Sequence, residues 1–327
     1  MTQKQSKPII FQGSLHKKNY FEGWYYKQVS SDQKTSLSFI PGISLSEHDP
    51  HSFIQYILVE THEDGRKETQ TGYVRFPLES FTFQHNPFSV QIGQSEFTER
   101  FIDIDLVDDS MTFKGRLELD HLMPIQQSRL HPNIMGVFAY IPKMECYHGV
   151  ISMNHSIQGD MLVGDRIEQF TGGKGYIEKD WGTSFPKHYI WLQSNHFNDA
   201  TTSLFFSIAH IPFHFTEFEG FICNLVHQGK EYRFATYNLS RCDIVTITSN
   251  HVTLHLENRH ARLDISAEVS HRANLIAPVK GTMQKTVKEG ISGTLSIRLE
   301  DKKTGEIYAG KGLNAGVEIV DYEFETE

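Results

Sequence analysis

The sequence contains no block of lysine and arginine, no apolar run long enough to cross a membrane as a helix, and only three cysteines, Cys146, Cys223 and Cys242. Each shortage closes a class of function. With a formal net charge of -9 and its cations scattered, the chain offers no footprint for a phosphate backbone, so nucleic acid is not an expected partner. An odd number of cysteines without CxxC spacing implies neither a disulfide framework nor a zinc knuckle, and fits a reduced cytoplasm. The first residues, Met-Thr-Gln-Lys-Gln-Ser-Lys-Pro, lack the apolar core of a secretory signal. A soluble, cytoplasmic protein is therefore expected, and peripheral contact with a membrane that stores its ligand is compatible with that expectation.

Familiar catalytic motifs are missing as well. HExxH and GxSxG are absent, and Gly172-Gly-Lys-Gly175 lacks the spacing of a phosphate loop and reads as a tight turn. Eighteen histidines invite a metal hypothesis. His251 and His255, however, lie four apart in a strand-like run, which separates them by about 13 Å on one face, too far to share an ion. His210 and His214 flank Pro212, and His148 and His155 fall on opposite faces of one strand. We read most of them as surface or supporting residues and expect neither a metal nor a cofactor.

What the chain does have is rings and alternation. Its 327 residues include 23 Phe, 13 Tyr and three Trp, enough to fill a core and still line a cavity. Period-two runs recur between turn signals, as in Phe53 to Glu60, Phe101 to Val107, Met111 to Leu119 and Tyr147 to Ile157, the last with Met161 to Phe170 as its expected partner. The same grammar continues from Ser203 to Gly310, and no segment sustains a helical period. The pattern predicts an all-β protein of antiparallel meanders, a sandwich or a barrel. Barrels of about eight strands hold one small ligand, and the strands here suffice for two. A boundary at the Gly182 to Pro186 turn gives an N-terminal domain, 1–185, and a C-terminal domain, 186–327.

All three tryptophans lie in two segments, Asn19-Tyr-Phe-Glu-Gly-Trp-Tyr-Tyr-Lys27 and the window from Gly175 to Phe197. Read as a strand, the first half of that window places Tyr176, Glu178 and Asp180 on one face, with the two carboxylates about 7 Å apart, and Ile177, Lys179 and Trp181 on the other. Enclosed together, one carboxyl is expected to keep its proton through desolvation and like-charge repulsion, as a general acid must. Tyr189, Trp191, Gln193, Asn195 and Phe197 form a second face that mixes flat apolar surface with amides, suited to a pocket for a long apolar ligand. Glu22, among Tyr20, Trp24 and Tyr26, is either a third perturbed acid or a structural tie to Lys27 or Lys179. The same letters also arise if the carboxylates face water and the rings are ordinary core.

Tyr20-Phe-Glu-Gly-Trp-Tyr-Tyr-Lys27, Tyr176-Ile-Glu-Lys-Asp-Trp-Gly182, Phe185-Pro186 and Trp191-x-Gln-x-Asn195 together resemble the tocopherol cyclase family, with Ala277-Pro-Val279, Gly281 and Ala315-Gly-Val-Glu318 extending the likeness to nearly the whole chain. The resemblance implies two lipocalin-like antiparallel β-barrel domains side by side, similar in outline to carotenoid hydratases. It also implies cofactor-independent chemistry on an isoprenoid, in which an alkene is protonated and the cation is captured by a phenol oxygen or by water. Plant members carry Asn at the position of Asp180 and glycines where this chain has Thr183 and Ser184. That departure points to a prenylated quinol or isoprenoid other than the tocopherol precursor.

The expected function is therefore proton-initiated cyclisation or hydration of a prenylated quinol in an apolar cavity. Asp180, Glu178 or Glu22 would act as the acid, and Trp24, Tyr176, Lys179, Trp181, Trp191, Gln193 and Asn195 would line the ligand. The competing class is a lipocalin-like carrier that sequesters a hydrophobic small molecule without chemistry. A third is a pericyclic or isomerising catalyst whose cavity mainly folds its substrate.

Overall fold

The computed structural model describes residues 3–213 and 216–322. It divides into two compact units: Met1–Met135, Ala139–Phe185 and Leu275–Thr286 form the first, and Gly136–Phe138, Pro186–Asn274 and Val287–Glu327 the second. The described regular structure is nearly all antiparallel strand, as the alternation predicts, with one short α-helix at Gln3–Ser6 and three short 3-10 helices at Leu78–Ser80, Gly136–Tyr140 and Thr236–Asn238. No helix among the described residues is long and apolar enough to cross a membrane.

The first unit is a strongly curved sheet, nearly closed into a barrel. Lys67–Pro77, His51–Thr61, Thr35–Leu45 and Tyr20–Val29 follow one another as a meander. Lys174–Gly182 comes next, then Cys146–Gln158, then a second meander running back from Thr112–Asp120 to Phe81–His85. Tight turns at Gly65 (φ +79°) and around Asp108 close hairpins of this sheet. One pairing differs from expectation. Met161 to Phe170 does not partner the Cys146 strand; it breaks at Gly164 (φ +64°) into a hairpin, Asp160–Val163 with Arg166–Gln169, that pairs with Thr112–Asp120. Glycine at that φ makes the two-residue turn, and the Cys146 strand is left to pair with Lys174–Gly182.

Inside this sheet lie Trp24, Tyr26, Phe39, Tyr56, Phe97 and Phe113, packed with Ile177 and Trp181. Ring contacts are mostly edge-on, as with Phe39 and Phe113 at 5.3 Å and 90°. Ile9, Ile10 and Phe11, each no more than 3% exposed, join the same core. The second unit has its own core around Ile190, Leu192, Phe206, Leu225, Leu254 and Ile297.

His155 is fully buried in the first unit, with Nε2 3.1 Å from Gln28 Oε1 and Nδ1 3.3 Å from Ser152 Oγ. Burial lowers its pKa to about 3. Because the folded value lies below the unfolded one, the stabilisation is complete above about pH 6.5 and is lost as the pH falls toward 3. Between those limits the slope is about 1.4 kcal/mol per pH unit. Unfolding midpoints measured between pH 7 and pH 4.5 should fall more steeply for the wild type than for His155→Gln; parallel curves would rule the histidine out as the source.

Candidate functional site

Register decides which candidate residues meet. Tyr20–Val29 pairs with Lys174–Gly182 so that Glu22 faces Trp181, Trp24 faces Lys179 and Tyr26 faces Ile177. Directly opposed residues share a face of the sheet. The candidate acids are therefore split: Glu22 stands on the core face with Trp24, Lys179 and Trp181, whereas Tyr176, Glu178 and Asp180 stand on the opposite face.

On the core face Glu22, wholly buried, forms an ion pair with Lys179. It also accepts hydrogen bonds from the Tyr20 hydroxyl and from the backbone N–H groups of Gln12 (2.8 Å) and Gly13 (3.0 Å). The Lys179 ammonium donates its remaining hydrogens to Pro8 O (2.8 Å) and Ile10 O (2.6 Å) and lies 4.6 Å from the Trp24 ring. Trp24 in turn donates from Nε1 to Ile9 O at 2.6 Å. Burial lowers the Lys179 pKa to about 8, with Glu22 acting in the other direction, so the ammonium stays mostly charged at neutral pH. Every hydrogen of Lys179 is spoken for by this chain, and Glu22 has four donors. The arrangement ties the segment from Pro8 to Gly13 to the barrel, and leaves neither Lys179 nor Trp24 a donor for a ligand.

The opposite face holds a residue that sequence reasoning missed. The Cys146 strand sets His148 across from Asp180, with Nδ1 2.8 Å from Asp180 Oδ1 and Nε2 3.4 Å from Glu178 Oε2. The Tyr176 hydroxyl donates to Glu178 Oε2 at 2.5 Å. Side-chain exposure rises along the chain, from 6% at Glu178 through 12% at His148 to 25% at Asp180. Desolvation opposes the imidazolium, yet Asp180 and then Glu178 outweigh it and raise the His148 pKa to about 10. Burial and Glu178 push the Tyr176 phenol well above its ordinary value, so it keeps its proton. Two adjacent carboxylates were expected to trap a proton between themselves. The structure instead places the His148 imidazole in contact with both, and its raised pKa favours the histidinium as the charge each carboxylate meets. His148 could have been found only by adding the register: it opposes Asp180 once the Asp160–Gln169 hairpin is excised from the pairing.

These three side chains approach metal-ligand spacing, their donor atoms all lying within 4.8 Å of one another. The imidazole meets the two carboxylates with different nitrogens, hydrogen-bonding Asp180 through Nδ1 and approaching Glu178 through Nε2 at 3.4 Å, an arrangement in which a proton on the ring faces either carboxylate.

In the second unit, Tyr189, Trp191 and Gln193 alternate with the core residues Ile190 and Leu192 on the strand Tyr189–Ser194. All are buried, and the Trp191 ring lies over Gly316, where an added Cβ would come within 2.2 Å of it. Phe197 does not join that face; it packs in the core with Ile190 and Leu192. Asn314, at φ +46°, interrupts the alternation of the facing strand at that point. Asn195 is buried at the break between Tyr189–Ser194 and His196–Phe197. His214 lies outside the described residues.

The remaining motif glycine has a positional reason. Gly281 (φ +77°) follows Lys280 in the turn between Arg272–Val279 and Thr282–Asp301. Its N–H donates to Thr183 O at 2.6 Å, its carbonyl accepts from Ser44 Oγ at 2.7 Å, and an added Cβ would lie 2.3 Å from Tyr20 N. A residue far along the chain is thereby locked beside the start of the Tyr20 strand and the end of the Lys174 strand.

Two all-antiparallel units, one a lipocalin-like barrel sheet carrying a buried imidazole and carboxylate cluster, define the class. The chain belongs to the tocopherol cyclase-like family, whose profile matches residues 125–320. That match contains the His148, Glu178 and Asp180 cluster and the Trp191, Gly281 and Gly316 motifs, but not the Tyr20–Lys27 segment. No curated protein matches the sequence. Solved structures share the fold over nearly the full length. A protein assigned as AttH from Nitrosomonas europaea aligns with a TM-score of 0.55 at 11% identity, covering 91% of this chain and 92% of its own. Kievitone hydratase from Nectria haematococca aligns at 0.53 and 10%, covering 95% and 93%. CghA in complex with Sch210972 aligns at 0.53 and 10%, covering 92% and 88%.

Proposed function

We propose that the protein is a cofactor-independent enzyme that protonates an isolated double bond of an isoprenoid with a phenolic or quinol head, giving a cyclised or hydrated product. The observation that carries this reading is the connected set Tyr176, Glu178, His148 and Asp180, which begins in full burial and ends at the most exposed of the four. Membership of a cyclase-like family and a structural neighbour named as a hydratase support it.

In the resting site His148 and Asp180 form an ion pair. An apolar chain that displaces water from the Asp180 edge raises the cost of that charge separation. Moving the proton across 2.8 Å from Nδ1 to Oδ1 then yields a neutral imidazole and a carboxylic acid. Asp180 delivers this proton to the less substituted alkene carbon. The cation forms beside two carboxylates, which stabilise it electrostatically. The phenol oxygen, or a water, captures it, and the proton released on capture returns to Asp180.

Incubation with prenylated benzo- and naphthoquinols in deuterated buffer tests the reading by mass. An isomer with one carbon-bound deuterium establishes cyclisation, and a product heavier by one water establishes hydration. Substrates that stay bound but return unchanged would replace the enzyme with a carrier.

A further inference from the structure

A concavity lies in the first unit, and none of the imidazole and carboxylate cluster lines it. It measures about 630 Å³, within the range of small-molecule sites. Lys4, Lys17, Lys18 and Lys143 line it, and no aspartate or glutamate does, although the chain as a whole is acidic. Tyr147 and Trp181 contribute a flat wall, their rings stacked at 5.5 Å and 5°.

The lysines are not equivalent. Lys18 is committed to Glu47 at 3.1 Å on the surface, and Lys4 donates to Gln12 O at 2.8 Å. Lys17 and Lys143 form no ion pair among the described residues; Lys17 lies 4.0 Å from the Tyr20 ring centroid. Two lining residues, Asn19 (φ +52°) and Lys143 (φ +62°), hold left-handed backbone conformations that non-glycine residues seldom adopt and that recur at ligand clamps. Burial lowers the Lys17 pKa, a penalty that an anion would relieve.

We propose that this pocket binds an organic anion combining a flat aromatic portion, placed against Tyr147 and Trp181, with a sulfonate, carboxylate or phosphate held by Lys17 and Lys143. Uncommitted lysines beside an aromatic wall attract such a molecule from solution and retain it through both parts. The site is separate from the proposed chemistry, since none of the four proton-sharing residues lines it.

The test is fluorescence titration of the full chain with 8-anilinonaphthalene-1-sulfonate and with N-phenyl-1-naphthylamine, the same skeleton without the anion. The sulfonate should bind saturably at one site, and its affinity should fall about tenfold in the Lys17→Gln/Lys143→Gln double variant, with binding of the amine unchanged. Asp180→Asn should bind the sulfonate as the wild type does, which keeps this result independent of the acid. Equal sulfonate affinity in wild type and double variant, no saturable binding, or equal weakening of both probes would each overturn the proposal. Matching circular dichroism and melting of the double variant guard against misfolding.

Discussion

Replacing Asp180 by Asn should lower turnover by about two to four orders of magnitude while substrate affinity changes only severalfold. The amide keeps the size and polarity of the side chain but neither carries nor releases a proton at neutral pH. Of the four proton-sharing groups Asp180 is the most exposed, so it alone is placed to meet a substrate arriving from outside the sheet. Loss of its charge also removes the larger of the two attractions that raise His148, so the imidazole pKa should drop from about 10. By linkage, the stabilisation from His148 is complete below its unfolded value of about 6.5 and disappears as the pH rises through about 10. Asp180→Asn should therefore lose that stabilisation at a lower pH than the wild type. Steady-state kinetics with a substrate identified by deuterium incorporation, together with an NMR titration of His148, check both halves. Wild-type turnover in Asp180→Asn/Glu178→Gln would remove both carboxylates as acids.

The second large effect is on stability. Lys179→Met leaves Glu22 wholly buried without its cation and strips Pro8 O and Ile10 O of their donor. Breaking a buried pair in this way costs about 3–5 kcal/mol. Adding Glu22→Gln should restore part of that loss, because the remaining partner is then neutral and its backbone donors stay engaged. Urea unfolding of the two single variants and the double variant measures the coupling. A Lys179→Met protein as stable as the wild type would show that the tie does not hold the Pro8 to Gly13 segment, and the polar cluster would then need another purpose.

Much of the fold is legible in the sequence. Ile102, Ile104 and Leu106 alternate with Asp103 and Asp105 because one side of their strand meets the core and the other meets water, a pattern written locally. Glycines at turns, such as Gly65 and Gly229, were equally local, since their positive φ follows from the turn itself. Phe81–His85 is harder to read, since only Phe81 of its five residues is buried and the strand is held extended by its hairpin partner Phe88–Ile92. In the twenty-residue strand Thr282–Asp301 the alternation marks the stretch from Gly293 to Leu299, whereas the first part is held extended by pairing with Arg272–Val279.

The candidate site divides in the same way. The sequence by itself determined that Tyr176, Glu178 and Asp180 share one face and Lys179 and Trp181 the other, because side-chain direction alternates within any strand. Only the tertiary structure decided that Glu22 belongs with Lys179 rather than with Asp180, and that His148 meets both carboxylates. Those are facts of register between strands far apart in the chain. A shift of one residue would turn every one of these side chains to the opposite face, and nothing within a single strand encodes which neighbour it will have.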